Sequence, residues 1–204
     1  MLQYEIEHFQ FIYTQQWKSY QVMSPDFEII TSRLALKLIP SEEAHPLQCL
    51  LAESPSLHQW LDWCDHNVTL KDVQDFLLAT RLNWVKAEAF GFGIYERQSN
   101  ILIGMAAVNE LYHTFNMASI GYWVADRYQR QGYAQEAVKA LAEFCFTKLS
   151  LTRLEVVCDP DNEASQALIE SIGAQKEAIA RNRFIFHGKP KDGVVYSLLP
   201  TDLT

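Results

Sequence analysis

The sequence predicts one mixed α/β (α+β) domain, with helices flanking a single central sheet, and three observations predict it. Short apolar runs alternating at a period of two stand between amphipathic stretches with a three-and-four spacing, so strands and helices interleave along the chain. Three strand-like runs between residues 89 and 125 follow one another with short polar joints, as in an antiparallel meander. The chain has 204 residues, 49% hydrophobic and 21% charged, so it can bury a sizeable core and is too apolar to stay disordered.

Residues 1–30 differ from the rest and read as an N-terminal extension packed on a domain of residues 31–204. They are rich in aromatics and glutamine, with Phe9, Phe11 and Tyr13 alternating as on one strand face, and Ser24-Pro25-Asp26 reads as a turn. From Ile30 to Ile39 the alternation of Leu34, Leu36 and Leu38 predicts a strand. Ser41 opens a helix to about Glu53, with Pro46 tolerated near its first turn. Thr69-Leu70-Lys71-Asp72 resembles a capping box, and Val73, Phe76, Leu77, Thr80 and Trp84 give the helix after it one apolar face.

The meander follows as strands Ala89–Glu96, Ile101–Val108 and Ala118–Ala125, the first two joined by Arg97-Gln98-Ser99-Asn100. A helix from Ala134 to about Leu149 buries Val138, Leu141, Ala142 and Cys145. Strand Arg153–Cys158 comes next, then helix Asn162–Ile172 with Gly173 as a left-handed cap. Two strand-like runs, Ala174–Ala180 and Gly193–Leu199, complete the domain.

Composition excludes several classes. A net charge of −8 has the wrong sign for a protein whose main partner is bulk nucleic acid. Cys49, Cys64, Cys145 and Cys158 are far apart and the six histidines lack ligand spacing, so neither a disulfide framework nor a metal site is expected. The first residues show no basic and apolar leader pattern, and no stretch approaches the roughly 18 apolar residues of a membrane span. A cytoplasmic protein without membrane contact is the expectation.

The chemistry concentrates in Ile120 to Gln135. An apolar strand runs into a polar loop, and Gly132-Tyr133-Ala134 opens a helix. First-turn N–H groups have no intrahelical partner and the macrodipole adds positive potential, so this arrangement suits an anion. Gly132 admits close approach of a phosphate, small Ala134 keeps the path clear, and Arg130 adds a charged donor. A plain strand-to-helix joint explains the pattern equally well. A P-loop is excluded because no G-x-x-x-x-G-K-[ST] occurs, and Gly91-Phe92-Gly93 lacks the third glycine of a dinucleotide fingerprint.

Gln129-x-x-Gly132-x-Ala134 resembles the (Q/R)-x-x-G-x-(G/A) pyrophosphate loop of the GNAT acetyltransferases. Ile120-Gly121-Tyr122-Trp123 stands before it, and Asp161-Asn162-Glu163-Ala164-Ser165 and Val194-Val195-Tyr196-Ser197-Leu198 stand after it. With Thr31-Ser32-Arg33-Leu34 and Trp60-Leu61-x-Trp63, these resemble the RimJ/RimL branch, the ribosomal-protein N-terminal acetyltransferases, over roughly residues 30–199.

The resemblance implies the GNAT acyl-CoA N-acyltransferase fold, a mixed and mostly antiparallel sheet splayed between the strand ending at Val124 and strand Arg153–Cys158. It implies acetyl-CoA as co-substrate and no metal. The pantetheine arm would lie in the gap against main-chain groups of Tyr122, Trp123 and Val124, the Val124 N–H polarising the thioester carbonyl. Gln129 belongs to the loop motif, and N–H groups of Arg130, Gln131, Gly132, Tyr133 and Ala134 would take the pyrophosphate. Asn162 matches the family asparagine that contacts the arm; it also suits an N-cap. Ser165, three residues on, matches a serine that protonates the departing thiolate; a helical serine without a catalytic role is the equal alternative.

The family glutamate that serves as base falls on Phe184 in a gap-free alignment, so the base is unassigned. Glu110 is the substitute, beside the family-matching Asn109, although a carboxylate at a strand end is usually only solvated. Cys158 is placed for a mixed disulfide with CoA, but a packed strand cysteine is the ordinary case. His113 reads as a surface residue or as lining of the acceptor site. Trp60 and Trp63 read as apolar core before acceptor wall.

Three functions therefore stand. The first is acetylation of a protein N-terminus, possible for a ribosomal protein and suited by an acidic surface. The second is acetylation of a small amine, and the third an acetyl-CoA sensor without turnover. A monomer or homodimer is compatible with each.

Overall fold

The computed structural model describes residues 23–64 and 67–203 of the chain. The alternation at Phe9, Phe11 and Tyr13 lies outside the described residues. In chain order the elements are β1 (Glu28–Ile30), β2 (Leu34–Lys37), α1 (Ala44–Ala52), α2 (Leu70–Lys86), β3 (Phe90–Glu96), β4 (Ile101–Tyr112), β5 (Met117–Val124), α3 (Tyr133–Thr147), β6 (Arg153–Cys158), α4 (Glu163–Ser171), β7 (Gln175–Phe186) and β8 (Lys189–Leu198). The strands form one sheet in the order β1-β2-β3-β4-β5-β6-β8-β7. Every neighbouring pair is antiparallel except β5 with β6.

Local chemistry accounts for the boundaries. At the start of α2 the Thr69 hydroxyl accepts the Asp72 N–H at 3.2 Å, and the Asp72 carboxylate accepts the Thr69 N–H at 2.9 Å. This is the predicted capping box, with aspartate in the role of glutamate. α4 ends at Gly173, φ +102°, where a β-carbon would lie 1.9 Å from the Asp202 carbonyl oxygen. Only glycine fits there.

Strand alternation divides the core between the two faces of the sheet. From β3, Phe90, Phe92 and Ile94 pack with Val138, Leu141, Ala142 and Cys145 of α3. Tyr95 points the other way, with Met105 and Trp123, against Leu47, Leu50 and Leu51 of α1 and Val73 and Leu77 of α2. β1 lies within the stretch read as an extension and pairs with β2, while Phe27 packs on Phe144 at 5.4 Å between ring centroids.

Three strands exceed their predicted bounds, β8 by starting at Lys189 rather than Gly193. β4 continues from Val108 to Tyr112 through a register shift between Val108 and Glu110. β7 continues from Ala180 to Phe186. It is the outer strand, largely exposed, so no alternation of apolar residues announces it and its pairing with β8 holds it.

The feature that positions the site lies between β5 and β6. They pair only from Met117 opposite Arg153 to Ser119 opposite Glu155. Beyond that point the strands diverge, and α4 covers the widening gap.

Candidate active site

Ile120 to Val124 pair with β4 on one edge and, among the described residues, have no strand partner on the other. Successive residues of a strand direct their N–H groups to opposite edges. The Ala125 N–H bonds the Ile103 carbonyl at 2.9 Å, so the Val124 N–H is turned into the gap. A cavity of about 640 Å³ fills this gap. Tyr122, Trp123 and Val124 form one wall, Asn162 and Ser165 the other, and Gln129, Arg130, Gly132, Tyr133 and Ala134 close one end.

The loop at that end presents backbone. Arg130 and Gly132 both have left-handed φ, +58° and +79°, and Gly132 precedes α3 without any side-chain cap. The first-turn N–H groups of α3 therefore remain available to an anion. The Gln129 amide holds the loop to the strand end, donating to the Val124 carbonyl and the Ser56 hydroxyl at 3.0 Å each. Gln131, expected among the N–H donors, is absent from the residues lining the cavity. Its carbonyl accepts Arg33 Nη1 at 2.9 Å and its side chain donates to the Arg127 carbonyl at 3.0 Å.

Arg33 and Glu136 brace this loop, and neither was expected from the sequence. Glu136, in the first turn of α3, accepts Arg33 Nε at 2.6 Å and the Arg33 N–H at 2.9 Å, together with the hydroxyls of Thr31 and Ser32. Burial pushes its carboxyl up, but the bonds from Thr31, Arg33 and Ser32 outweigh that and hold it at about 2. The Arg33 guanidinium also lies 4.6 Å from the Tyr133 ring centroid. Thr31-Ser32-Arg33 was the available signal, legible as a motif without an assigned job.

At the other end Asn162 caps α4, its side-chain oxygen accepting the Ser165 N–H at 3.0 Å. The Ser165 hydroxyl lies 2.9 Å from the Tyr122 hydroxyl, which also reaches the Ser165 carbonyl at 3.2 Å. Burial pushes the Tyr122 phenol up, so it stays protonated. Burial likewise raises the Cys158 thiol, against a hydrogen bond from Ser165. The sequence assigned Tyr122 main-chain contacts only and gave no role to its hydroxyl.

A second cavity, of about 470 Å³, shares Trp60, Leu61, Tyr122, Asn162 and Ser165 with the first. Its other walls include Asp62, Trp63, Glu110, Cys158, Asp159, Arg183 and Phe184. Trp60 and Trp63 thus line a cleft rather than the core; Trp63 is 46% exposed and stacks on Phe76 at 5.2 Å. His113 sits in a 3-10 turn after β4 and lines neither cavity.

Three carboxylates face this cleft in different company. Asp159 is paired with Lys191 and Asp62 with His187. Glu110 accepts the hydroxyl of Tyr112. Opposite, β7 is bulged: Ala180 pairs with Gly193 and Phe184 with Lys191, so Arg181, Asn182 and Arg183 face Asp192 alone. Asn182 turns the bulge at φ +50°, with its N–H on Asp192 at 2.9 Å, and Arg183 reaches Glu155 at 2.6 Å. Among the described residues no three His, Cys, Asp or Glu side chains converge as metal ligands, and no helix is long and apolar enough to cross a membrane.

Residues 33–175 match the family model described as an acetyltransferase (GNAT) domain. A solved Vibrio cholerae structure named "putative ribosomal-protein-serine acetyltransferase" is 57% identical, with a TM-score of 0.81 over 87% of this chain and 100% of the other. The "uncharacterized N-acetyltransferase YoaA" of Bacillus subtilis is 34% identical over 108 residues, 53% of this chain and 61% of that protein. A structure of RimL, a ribosomal L7/L12 α-N-protein acetyltransferase in complex with coenzyme A, shares the fold. Its TM-score is 0.78 at 21% identity, over 85% of this chain and 98% of the other.

Proposed function

The chain belongs to the GNAT acetyltransferase family, in its RimJ/RimL-like branch, and from that premise we propose that it acetylates the N-terminal α-amino group of a protein. Acetyl-CoA is the donor, and the amine attacks directly in a ternary complex. The observation that carries this reading is the meeting of two cavities at Tyr122 and Ser165. One is a channel ending in a backbone anion site, with dimensions and donors suited to a pantetheine-pyrophosphate chain. The other is an open cleft walled by Trp60, Asp62, Trp63 and Glu110, suited to the end of a polypeptide carrying an ammonium group.

In this reading the pyrophosphate sits on the N–H groups of Arg130 to Ala134, Gln129 anchoring the loop and Gln131 serving only as a brace point. Tyr122, Trp123 and Val124 hold the arm through their main chain. The Val124 N–H faces the thioester carbonyl, where negative charge develops as the amine attacks. Asn162 fixes the start of α4 and contacts the arm through its remaining amide group. Ser165 gives a proton to the departing thiolate, and Glu110 takes one from the attacking ammonium.

Support for a protein acceptor comes from the named activities of relatives: ribosomal-protein-serine acetylation for the Vibrio cholerae protein and L7/L12 α-N-acetylation for RimL, which was seen with coenzyme A. A net charge of −8 also suits a basic acceptor. The test is thiol release from acetyl-CoA with a panel of N-terminal peptides and small amines, joined to mass spectrometry of proteome N-termini with and without the protein. Turnover with peptides and loss of defined N-acetyl groups are expected. Turnover with small amines alone would replace the protein acceptor, and binding without thiol release would remove catalysis.

A further inference from the structure

Ser165 is poorly equipped to supply a proton alone. An aliphatic hydroxyl is a far weaker acid than a thiol, whose ordinary pKa is about 8.5, so giving up its proton outright would leave an alkoxide in a partly buried site. A phenol, ordinarily about 10, starts closer to the thiol; burial raises Tyr122, but burial weakens an alcohol as an acid too, so the phenol remains the stronger acid of the two hydroxyls. The structure supplies one. The Tyr122 hydroxyl is 2.9 Å from the Ser165 hydroxyl, and both residues line the channel and the cleft at their junction. Tyr122 projects from β5 just beyond Ser119, where the pairing of β6 with β5 ends, and its hydroxyl reaches Ser165 in the first turn of α4.

We propose that Tyr122 is the proton source behind Ser165, the two hydroxyls forming a relay to the leaving sulfur. The inference rests on the reading of Ser165 as donor to that sulfur. As the tetrahedral intermediate collapses, the carbon–sulfur bond breaks and its electron pair goes to sulfur. The Ser165 proton moves to sulfur while the Tyr122 proton moves to the Ser165 oxygen. The products are the amide, the CoA thiol, an intact serine and a tyrosinate, and no alkoxide forms. The proton shed by the acceptor nitrogen leaves through the base to water, and water returns one to Tyr122 after the thiol departs, which closes the cycle. Burial keeps the phenol in its proton-carrying form before each turnover. Its second contact, to the Ser165 carbonyl at 3.2 Å, holds the ring oriented while the serine hydroxyl rotates.

The experiment compares Tyr122→Phe, Ser165→Ala and the double variant with the unaltered protein, using acetyl-CoA and the best peptide from the acceptor panel. Each single variant is expected to lower kcat by about 100-fold with the acetyl-CoA KM within about twofold, the usual range for loss of a general acid. The double variant should be no slower than the slower single one, because both remove the same proton path. Rates in mixtures of light and heavy water should show a curved dependence for the unaltered protein, from two protons in motion, and a straight one for Tyr122→Phe. A merely structural tyrosine would not change that curvature. If Ser165→Ala is slow and Tyr122→Phe is not, the relay is overturned and the serine keeps its role. If Ser165→Ala turns over normally, the reading of the serine fails and the relay with it. Additive losses would make Tyr122 an independent contributor and also overturn the relay. Should Tyr122→Phe fail to fold, the unaltered protein decides: a curved dependence supports the relay, and a straight or flat one overturns it.

Discussion

Glu136 ties the first residues of the domain to the loop proposed to receive the pyrophosphate, and Glu136→Gln tests that tie. The folded carboxyl sits at about 2 against an ordinary 4.5. That gap of about 2.5 pH units, at about 1.36 kcal/mol each, gives an upper figure of about 3 kcal/mol. Arg33 is nearly half exposed, so solvent screening brings the expected loss nearer 2 kcal/mol, roughly 4–8 °C in Tm for a chain of this size. The sign follows from proton linkage. Because the folded carboxyl is depressed, its contribution is fully present above about pH 4.5 and is lost as pH falls through about 2, the unfolded chain binding the proton first. The assay is denaturant unfolding of both proteins between pH 7 and pH 2. The difference should hold steady from pH 7 to about 5 and then close. The acetyl-CoA KM should also rise, since Arg33 holds the Gln131 carbonyl and the Tyr133 ring. A difference below about 0.5 kcal/mol at pH 7, or one that does not narrow toward pH 2, would refute the brace.

Three further outcomes are expected. Gly132→Ala forces a side chain onto a φ of +79° with its β-carbon 3.3 Å from the Arg33 guanidinium, at about 1–2 kcal/mol, and calorimetry should show acetyl-CoA binding weakened by about tenfold. Asn162→Ala removes the cap on Ser165 N–H, lowering stability by about 1 kcal/mol in thermal unfolding and raising the acetyl-CoA KM. Glu110→Gln should abolish the acidic limb of the kcat/KM profile; an unchanged limb would dismiss it as the base.

What was legible in the sequence is what local pattern encodes. The alternation in Leu34 to Leu38 and in the meander, the helix repeat at Val138 to Cys145 and the cap at Thr69 each reflect forces acting within a few residues, and each of these elements forms, although β4 runs on past Val108. The splay was legible only through the family resemblance, because nothing in β5 or β6 alone says that their pairing stops at Ser119 and Glu155. Arg33 and Glu136 meet across 103 positions, and no local rule links them. Tyr122 was hidden for a different reason: a tyrosine in an apolar strand reads as packing, and only the place where β6 departs exposes its hydroxyl to α4.

The base shows how the two kinds of information combine. Aligned without gaps the family glutamate falls on Phe184, and β7 carries two extra residues at 181–183 that displace its register against β8. The conclusion survives the shift, because Arg181 to Phe186 contains no carboxylate in any register. The proposed mechanism then takes its base from another wall of the cleft. Asp159 is held by Lys191, and a cation beside a carboxylate makes it a poorer proton acceptor, while Asp62 accepts the backbone N–H of His187. Glu110 lines the cleft and is engaged by a neutral phenol rather than by a cation. The bulge at Val108 to Glu110 lets the strand turn that side chain toward the cleft, as bulges beside active sites commonly do. Under the proposed mechanism the glutamate absent from β7 is replaced by the bulged Glu110 of β4, which would meet the attacking amine from the opposite side of the cleft.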